Sequence, residues 1–230
     1  MPFDVQRYNR LIASTAADFS FYTGSIQDRS SAQRTMTLVG GPSWTPVNGL
    51  PCFSQRANAD GIATTGVVPR VLDLTGSIFF EIVLRPTVEA AANYLVYQVD
   101  GTTTGLAVFY QPNAGNRDVR IYLYNAAAVA RRVIGPAASA PVGALRHHLI
   151  GSVAGGTSGL VWTNGIPGTP ILLGAGAAAN IAAPTQLTAA GSGGTGRQDS
   201  LIIRAWQGVP VHEDAQCLYQ AARSLTGGEV

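Results

Sequence analysis

The sequence predicts an all-β fold: an antiparallel sandwich closed by a short C-terminal helix. Three observations carry this. Short runs of β-branched, aromatic and other large apolar residues recur along the chain, bounded by Gly, Pro, Asn, Asp or Ser. Gly numbers 27 and Pro 13 among 230 residues, with only 12% charged, which suits short strands joined by many turns. The stretch from His147 to Pro167 reads as two strands folded against each other. Ala154 to Gly159 forms the turn between them, and Asn164-Gly165 makes the next tight turn, which demands positive φ at both residues. A chain of this length buries a core without staples. No linker-like break divides it, so we expect one domain over 18–230 with a separate segment at 1–17.

Taken in order, residues 4–17 place Val5, Tyr8, Leu11 and Ile12 at helical spacing behind the N-cap candidate Asp4. A short helix or an ordered arm is expected there. Asp18 to Phe21 reads as the first strand, followed by a polar turn and by Met36 to Val39. Trp44 begins an extended piece, and Leu50–Ser54 and Ile62–Val68 are further strands. Ser77 to Pro86 is a nearly continuous apolar strand, which implies cover on both faces; Glu81 sits inside it and Pro86 ends it. Tyr94–Val99, Leu106–Tyr110, Val119–Tyr124 and Arg131–Ile134 follow. After the hairpin come the Gly/Ala loop 174–184, a strand at Thr185–Ala190, the turn 191–196 and a last strand, Ser200–Trp206. Residues 213–223 form a helix with Glu213 and Asp214 in its first turn, where the dipole favours acids, and Gly227-Gly228 ends it.

The net charge of +2 gives no electrostatic case for nucleic acid. All 15 basic residues are Arg, a side chain suited to planar, bidentate contacts. Cys52 and Cys217, far apart, are expected as small buried apolar residues rather than as a disulfide or a zinc site. There is no long apolar run, hence no membrane span. The first ten residues lack the apolar core of a signal peptide, so synthesis in a host cytoplasm is expected.

Asp28 to Ser31 with Met36 to Trp44, then Leu74 to Pro86, then Arg146 to Pro167, then Leu201 to Arg223 stand in the order of four motifs of one family. The chain resembles the LamG-like jelly-roll family, within the concanavalin A-like lectin and glucanase fold, as found in bacteriophage virion proteins. The resemblance covers roughly 18–223 and implies a two-sheet jelly roll. Three positions depart from the family pattern: Ser30-Ser31 replaces Ser-Gly, Arg146 replaces an aromatic, and Val153 to Gly156 lacks an Asp. No calcium or ligand site is therefore carried over.

Glycan hydrolases of the wider fold place carboxylates at alternate positions of one strand. Glu81 is alone in its strand, and Glu213-Asp214 opens a helix, so no catalytic residue is assigned. Asp60, Asp100 and Asp118 read as turn residues. His147 and His148 point to opposite faces of a strand and cannot share a metal; one should be packed and the other exposed. No cofactor is implied. Tyr94, Tyr97, Tyr110, Tyr122 and Tyr124 offer ring faces for core packing, for a protein interface or for sugar stacking. Of these, Tyr110, Tyr122 and Tyr124 are the glycan-stacking candidates. Tyr8, Leu11, Ile12, Arg131 and Arg132 are the interface candidates, with the first three on an arm that reaches a neighbour and is dispensable for folding.

The expected function is non-enzymatic: a bacteriophage virion component, as a capsid decoration or tail-associated subunit, partnered by other virion subunits or copies of itself. The alternative is a lectin-like module for surface glycans, with a glycoside hydrolase further behind.

Overall fold

The structure is a computed structural model and describes residues 3–57, 60–64, 70–87, 93–100, 103–111, 117–125, 129–178, 186–189 and 197–230. Strands hold 46% of the chain and helix 16%, so the all-β expectation stands. The strands form two sheets of eight. The first runs β13 (Ile166–Gly168), β12 (Ser158–Thr163), β11 (Arg146–Val153), β6 (Ile78–Pro86), β16 (Gln198–Gln207), β4 (Leu50–Gln55) and β3 (Ser43–Val47). The long β16 also holds β1 (Ala17–Ser20) along Ile202–Ala205, while β4 takes Gln198–Ser200 of the same strand. The second sheet runs β14 (Ile171–Leu173), β10 (Val129–Ile134), β9 (Asp118–Tyr124), β8 (Thr103–Gln111), β7 (Asn93–Asp100), β15 (Gln186–Ala189), β5 (Gly61–Thr64) and β2 (Met36–Val39). The pairings are antiparallel, as hairpin-linked strands allow.

Strand periodicity builds the core. Ile78, Phe80, Ile82 and Leu84 of β6 face inward with Ile150 and Ile203. They meet Leu106, Val108, Ile121 and Val133 from the second sheet. The alternate residues Phe79 and Val83 face outward, yet they too are buried, in two separate clusters. Helices supply that cover. Helix α1 (Val5–Ala13) and helix α2 (His212–Leu225) lie on the outer face of the first sheet, bringing Leu11, Ala215 and Leu218 onto Phe79, Leu149 and Trp206. Phe79 and Trp206 stack with centroids 4.7 Å apart and planes 4° from parallel. The continuous apolar character of β6 thus reflects a sheet covered on both sides.

The N-terminal segment forms a short helix that packs on its own chain. Asp4 caps α1 by accepting from the Arg7 amide. Trp206 Nε1 donates to the Leu11 carbonyl at 2.8 Å, and Arg7 pairs with Asp214 of α2 at 2.8 Å. Leu11 is only 8% exposed, and Tyr8 and Ile12 pack on the same cluster. An amphipathic nine-residue helix is marginal alone and is stabilised by burying its apolar face, so this chain uses it at home. Removing residues 1–17 would uncover Trp206 and take Ala17 from β1, so the truncated chain is expected to lose stability.

Three further expectations are corrected. Val153, expected in the core with Ile78, Phe80, Ile82, Trp162 and Ile203, is half-buried, because it ends β11 at the turn. His147 and His148 are both buried, since the helices cover the face that was expected to be open. Strand β13, at the hairpin's end, and strand β14, in the stretch before the Gly/Ala loop, were not anticipated. Asn164 and Gly165 do take positive φ, 49° and 73°, and a Cβ on Gly165 would stand 2.4 Å from Tyr219 Cδ1. Both cysteines are buried and unpaired, and burial pushes the Cys52 thiol up to about 12. Residues 65–68 and the turn 191–196 lie outside the described residues, as do the side chains of Tyr94, Tyr97 and Asp100.

Leu218 has no exposure and anchors α2. Leu218→Ala should cost about 2–5 kcal/mol, read as a lowered denaturation midpoint. An unchanged midpoint would show that the helix contributes no packing.

Candidate binding surfaces

The outer face of the first sheet carries charge under the helices. Register sets Asp18 beside Arg204 and Arg204 beside Glu81, across β1, β16 and β6. Arg204 Nε donates to Asp18 Oδ1 at 3.0 Å, Nη1 to Glu81 Oε2 at 2.9 Å, and Nη2 to Ser20 Oγ at 2.8 Å. His147 Nε2 lies 3.1 Å from Glu81 Oε1. Burial opposes the Glu81 charge, but Arg204 and His147 outweigh it and hold the carboxyl below its usual range. The two acids that converge here are therefore committed to one guanidinium. The other buried acids are held likewise. Asp199 binds Arg85 through two nitrogens and Arg56 through one, and it accepts from Ser54 Oγ. Asp28 pairs with Arg34 and takes the amides of Asp18 and Ser30, which fixes the Asp28–Ser31 turn. Asp118 pairs with Arg120, and Asp60 caps a turn through the amides of Gly41, Arg56 and Ala57. A cleft of about 270 Å³ between the helices has Tyr8, Tyr22 and Arg204 in its wall, but the Arg204 donors are taken.

A second concavity lies at one end of the sandwich. The turn after β11 places Ala154, Gly155 and Gly156 at positive φ of 43°, 63° and 93°. The Ala154 amide donates to Ser77 Oγ and the Gly155 amide to the Gly76 carbonyl, which ties this turn to the one before β6. Arg131 crosses from β10 and lies against Gly156, where a Cβ would stand 2.6 Å from Arg131 Cβ. Its Nη1 donates to the Gly174 carbonyl at 2.6 Å. A cleft of about 310 Å³ opens beside it, walled by Thr75, Thr157, Ala154, Gly155 and residues 175–178.

The outer face of the second sheet has no helix among the described residues. There Arg132 lies over Tyr122, 4.9 Å from the ring centroid, and Phe109 meets that ring edge-on at 4.6 Å. Tyr122 and Tyr124 are half-buried on this face. Tyr110 is not: it points inward and is 1% exposed, so it is unavailable for stacking. Its place next to Phe109 in β8 sends it to the opposite face.

The third surface is an edge. Strands β13 and β14 are the outermost of their sheets and are joined by Thr169-Pro170, so both sheets end on one side. Ile166, Ile171, Leu172 and Leu173 are 70%, 53%, 42% and 45% exposed. No charged residue falls between 166 and 175. Sequence reading missed this ribbon; its signal was an apolar triplet just after Pro170.

No family model and no curated protein matches the chain. Solved structures do. The fold is similar to the receptor-binding domain of a botulinum neurotoxin C/D mosaic serotype, with TM-score 0.70, 9% identity, 90% of this chain and 51% of that one. It is similar to the serotype D ligand-binding domain in complex with N-acetylneuraminic acid, with TM-score 0.68, 8% identity, and 94% and 52% covered. A botulinum neurotoxin type C structure, titled for a cell entry that depends on two ganglioside molecules, matches at TM-score 0.68, 9% identity, and 92% and 52% covered. The chain spans about half the length of each. At such identities the likeness establishes the class, a jelly-roll-like β-sandwich.

Two outcomes follow for the buried charges. Arg204→Met leaves Asp18 and Glu81 without their cation and should cost roughly 3–5 kcal/mol near neutral pH. Its deficit against the parent should shrink as acid neutralises them. A loss below about 1 kcal/mol in urea melts would refute that role.

His148, with burial the main cause and the neighbouring charges of His147 and Arg146 adding to it, has its pKa lowered to about 3. Its Nε2 has no hydrogen-bond partner. A folded pKa below the unfolded one means that the unfolded chain binds the extra proton. Stability should fall as pH drops from about 6.5 towards 3, with a slope approaching ~1.4 kcal/mol per unit from this group. Glu81 adds loss at the acid end. Urea melts at pH 7, 5 and 4 should show the slope, and His148→Gln should flatten it; a parental slope in that variant would refute the assignment.

Proposed function

We propose that this chain is a non-enzymatic interaction protein, a LamG-like jelly-roll subunit of a bacteriophage virion that decorates the capsid or joins the tail. It is made in the host cytoplasm, and its partners are other virion subunits or copies of itself. The observation that carries this reading is the uncharged apolar ribbon Ile166–Leu173 along the open edge of both sheets. Sheet edges in isolated domains are blunted by charge, bulges or cover, because unpaired N–H and C=O groups recruit other chains. This edge carries three consecutive exposed apolar residues on β14. The partial burial of Arg132 and Tyr122 next to β14 extends the surface with the residue types favoured in interfaces.

A second reading is a glycan-binding module. It is supported by the sandwich-end cleft, by the Tyr122–Arg132 pair and by the ganglioside and N-acetylneuraminic acid named for two of the similar structures.

The double variant Ile166→Asp, Ile171→Asp should fold with an unchanged melting temperature, since both side chains are exposed. It should fail to enter purified particles. Normal incorporation, or hydrolysis of a polysaccharide by the intact parent, would count against the assembly reading.

A further inference from the structure

We infer that the cleft at the sandwich end binds a carboxylate-bearing sugar, with Arg131 as its anchoring cation. The inference rests on the glycan-binding reading and names its ligand class and its site. Arg131 is held in place before any ligand arrives: its stem lies along Gly156, and its Nη1 is tethered to the Gly174 carbonyl. A guanidinium carries five donors in a rigid fork. Nη1 is used once, and Nε is buried with no acceptor among the described residues, which leaves Nη2 and the second Nη1 proton for a ligand. The end formed by Nη1 and Nη2 can grip a carboxylate through two hydrogen bonds.

The walls fit a sugar rather than a lipid or a peptide side chain. Apart from Arg131 they are Thr, Ala and Gly, with no large apolar surface and no acid among them. Thr75 and Thr157 bring hydroxyl oxygens, though each hydroxyl proton is directed inside the chain, to Asp73 Oδ1 and to the Val153 carbonyl. Their oxygens remain acceptors for sugar hydroxyls. A volume of about 310 Å³ lies at the lower end of small-molecule sites and suits one ring. Asp73, one turn away, is bound to the Thr75 amide and hydroxyl and places its charge there instead of on the guanidinium.

The test is calorimetric titration of the full chain at low salt with N-acetylneuraminic acid, glucuronic acid, galactose and inorganic phosphate. The two acids should bind at least about tenfold more tightly than galactose and phosphate, with affinity falling as salt rises. Arg131→Gln should lower acid binding by about tenfold or more at an unchanged melting temperature, and Arg131→Lys should restore part of it. Thr157→Trp, which fills the cleft and keeps Arg131, should also abolish binding, and it serves if Arg131→Gln does not fold. Equal binding of galactose, equal binding of phosphate, or parental affinity in both variants would overturn the inference. Sugar binding that ignores Arg131 would leave the glycan reading standing without this site, whereas no sugar binding at all would remove both.

Discussion

A guanidinium only 2% exposed, clamped between two carboxylates on neighbouring strands, is the constraint on which the rest of this molecule is arranged. Arg204 fixes β16 against β1 on one side and β6 on the other, and Glu81 passes the link to His147 on β11. Such a cluster adds little net stability, because desolvation offsets most of its attraction. It makes wrong registers expensive. A one-residue slip of β6 would turn Glu81 into the apolar interior and Phe80 onto the charged rung. The same charges require a roof, since they are tolerated only when their hydrogen bonds are complete and water is excluded. The roof is made of α1 and α2, from opposite ends of the chain, joined by Arg7 and Asp214. The helices are therefore part of the sheet's electrostatics as well as its packing.

Most strands were legible because turn residues punctuate this sequence at short intervals. The inward face was legible too, because Ile78, Phe80, Ile82 and Leu84 alternate. What covers the other face was not. A strand such as β6 announces that both sides are buried but does not say by what, and so one of His147 and His148 was expected to be exposed. Tyr8, Leu11 and Ile12 were recognised as an apolar stripe, yet a stripe does not state whether its partner lies in the same chain. The Arg204 cluster did leave a mark: Glu81 and Arg204 are charges flanked on both sides by apolar residues within their strands, and two such charges of opposite sign invite pairing. Strands β13 and β14 left less, since three residues broken by Gly and Pro show no period. Arg131 was read as a rim cation. Its neighbours in the cleft, from three separate segments, are distant in sequence, and no local spacing reports them.

With the outer face of the first sheet sealed, the surfaces left for partners are the outer face of the second sheet, the sandwich end and the shared edge. Among the described buried acids, Asp18, Asp28, Glu81, Asp118 and Asp199 are each tied to Arg, and Asp60 to backbone amides. Arg131 takes a backbone carbonyl and Arg132 lies over an aromatic ring. They are adjacent in β10 and so point to opposite faces.

The edge and the cleft meet in one short segment. Leu173 ends β14 opposite Arg132, and the next residue, Gly174, supplies the carbonyl that orients Arg131. Anything that settles on the β14 edge touches the strand whose end positions the guanidinium, and anything that draws on that guanidinium pulls on the same end. The hydrogen bond from Arg131 to Gly174 is therefore the point at which the proposed assembly surface and the proposed ligand cleft share a physical element. Because β14 is only three residues long and pairs on one side, it is the element of the second sheet least held by its neighbours. A second strand on its open edge would complete its hydrogen bonding and steady the Gly174 carbonyl behind it.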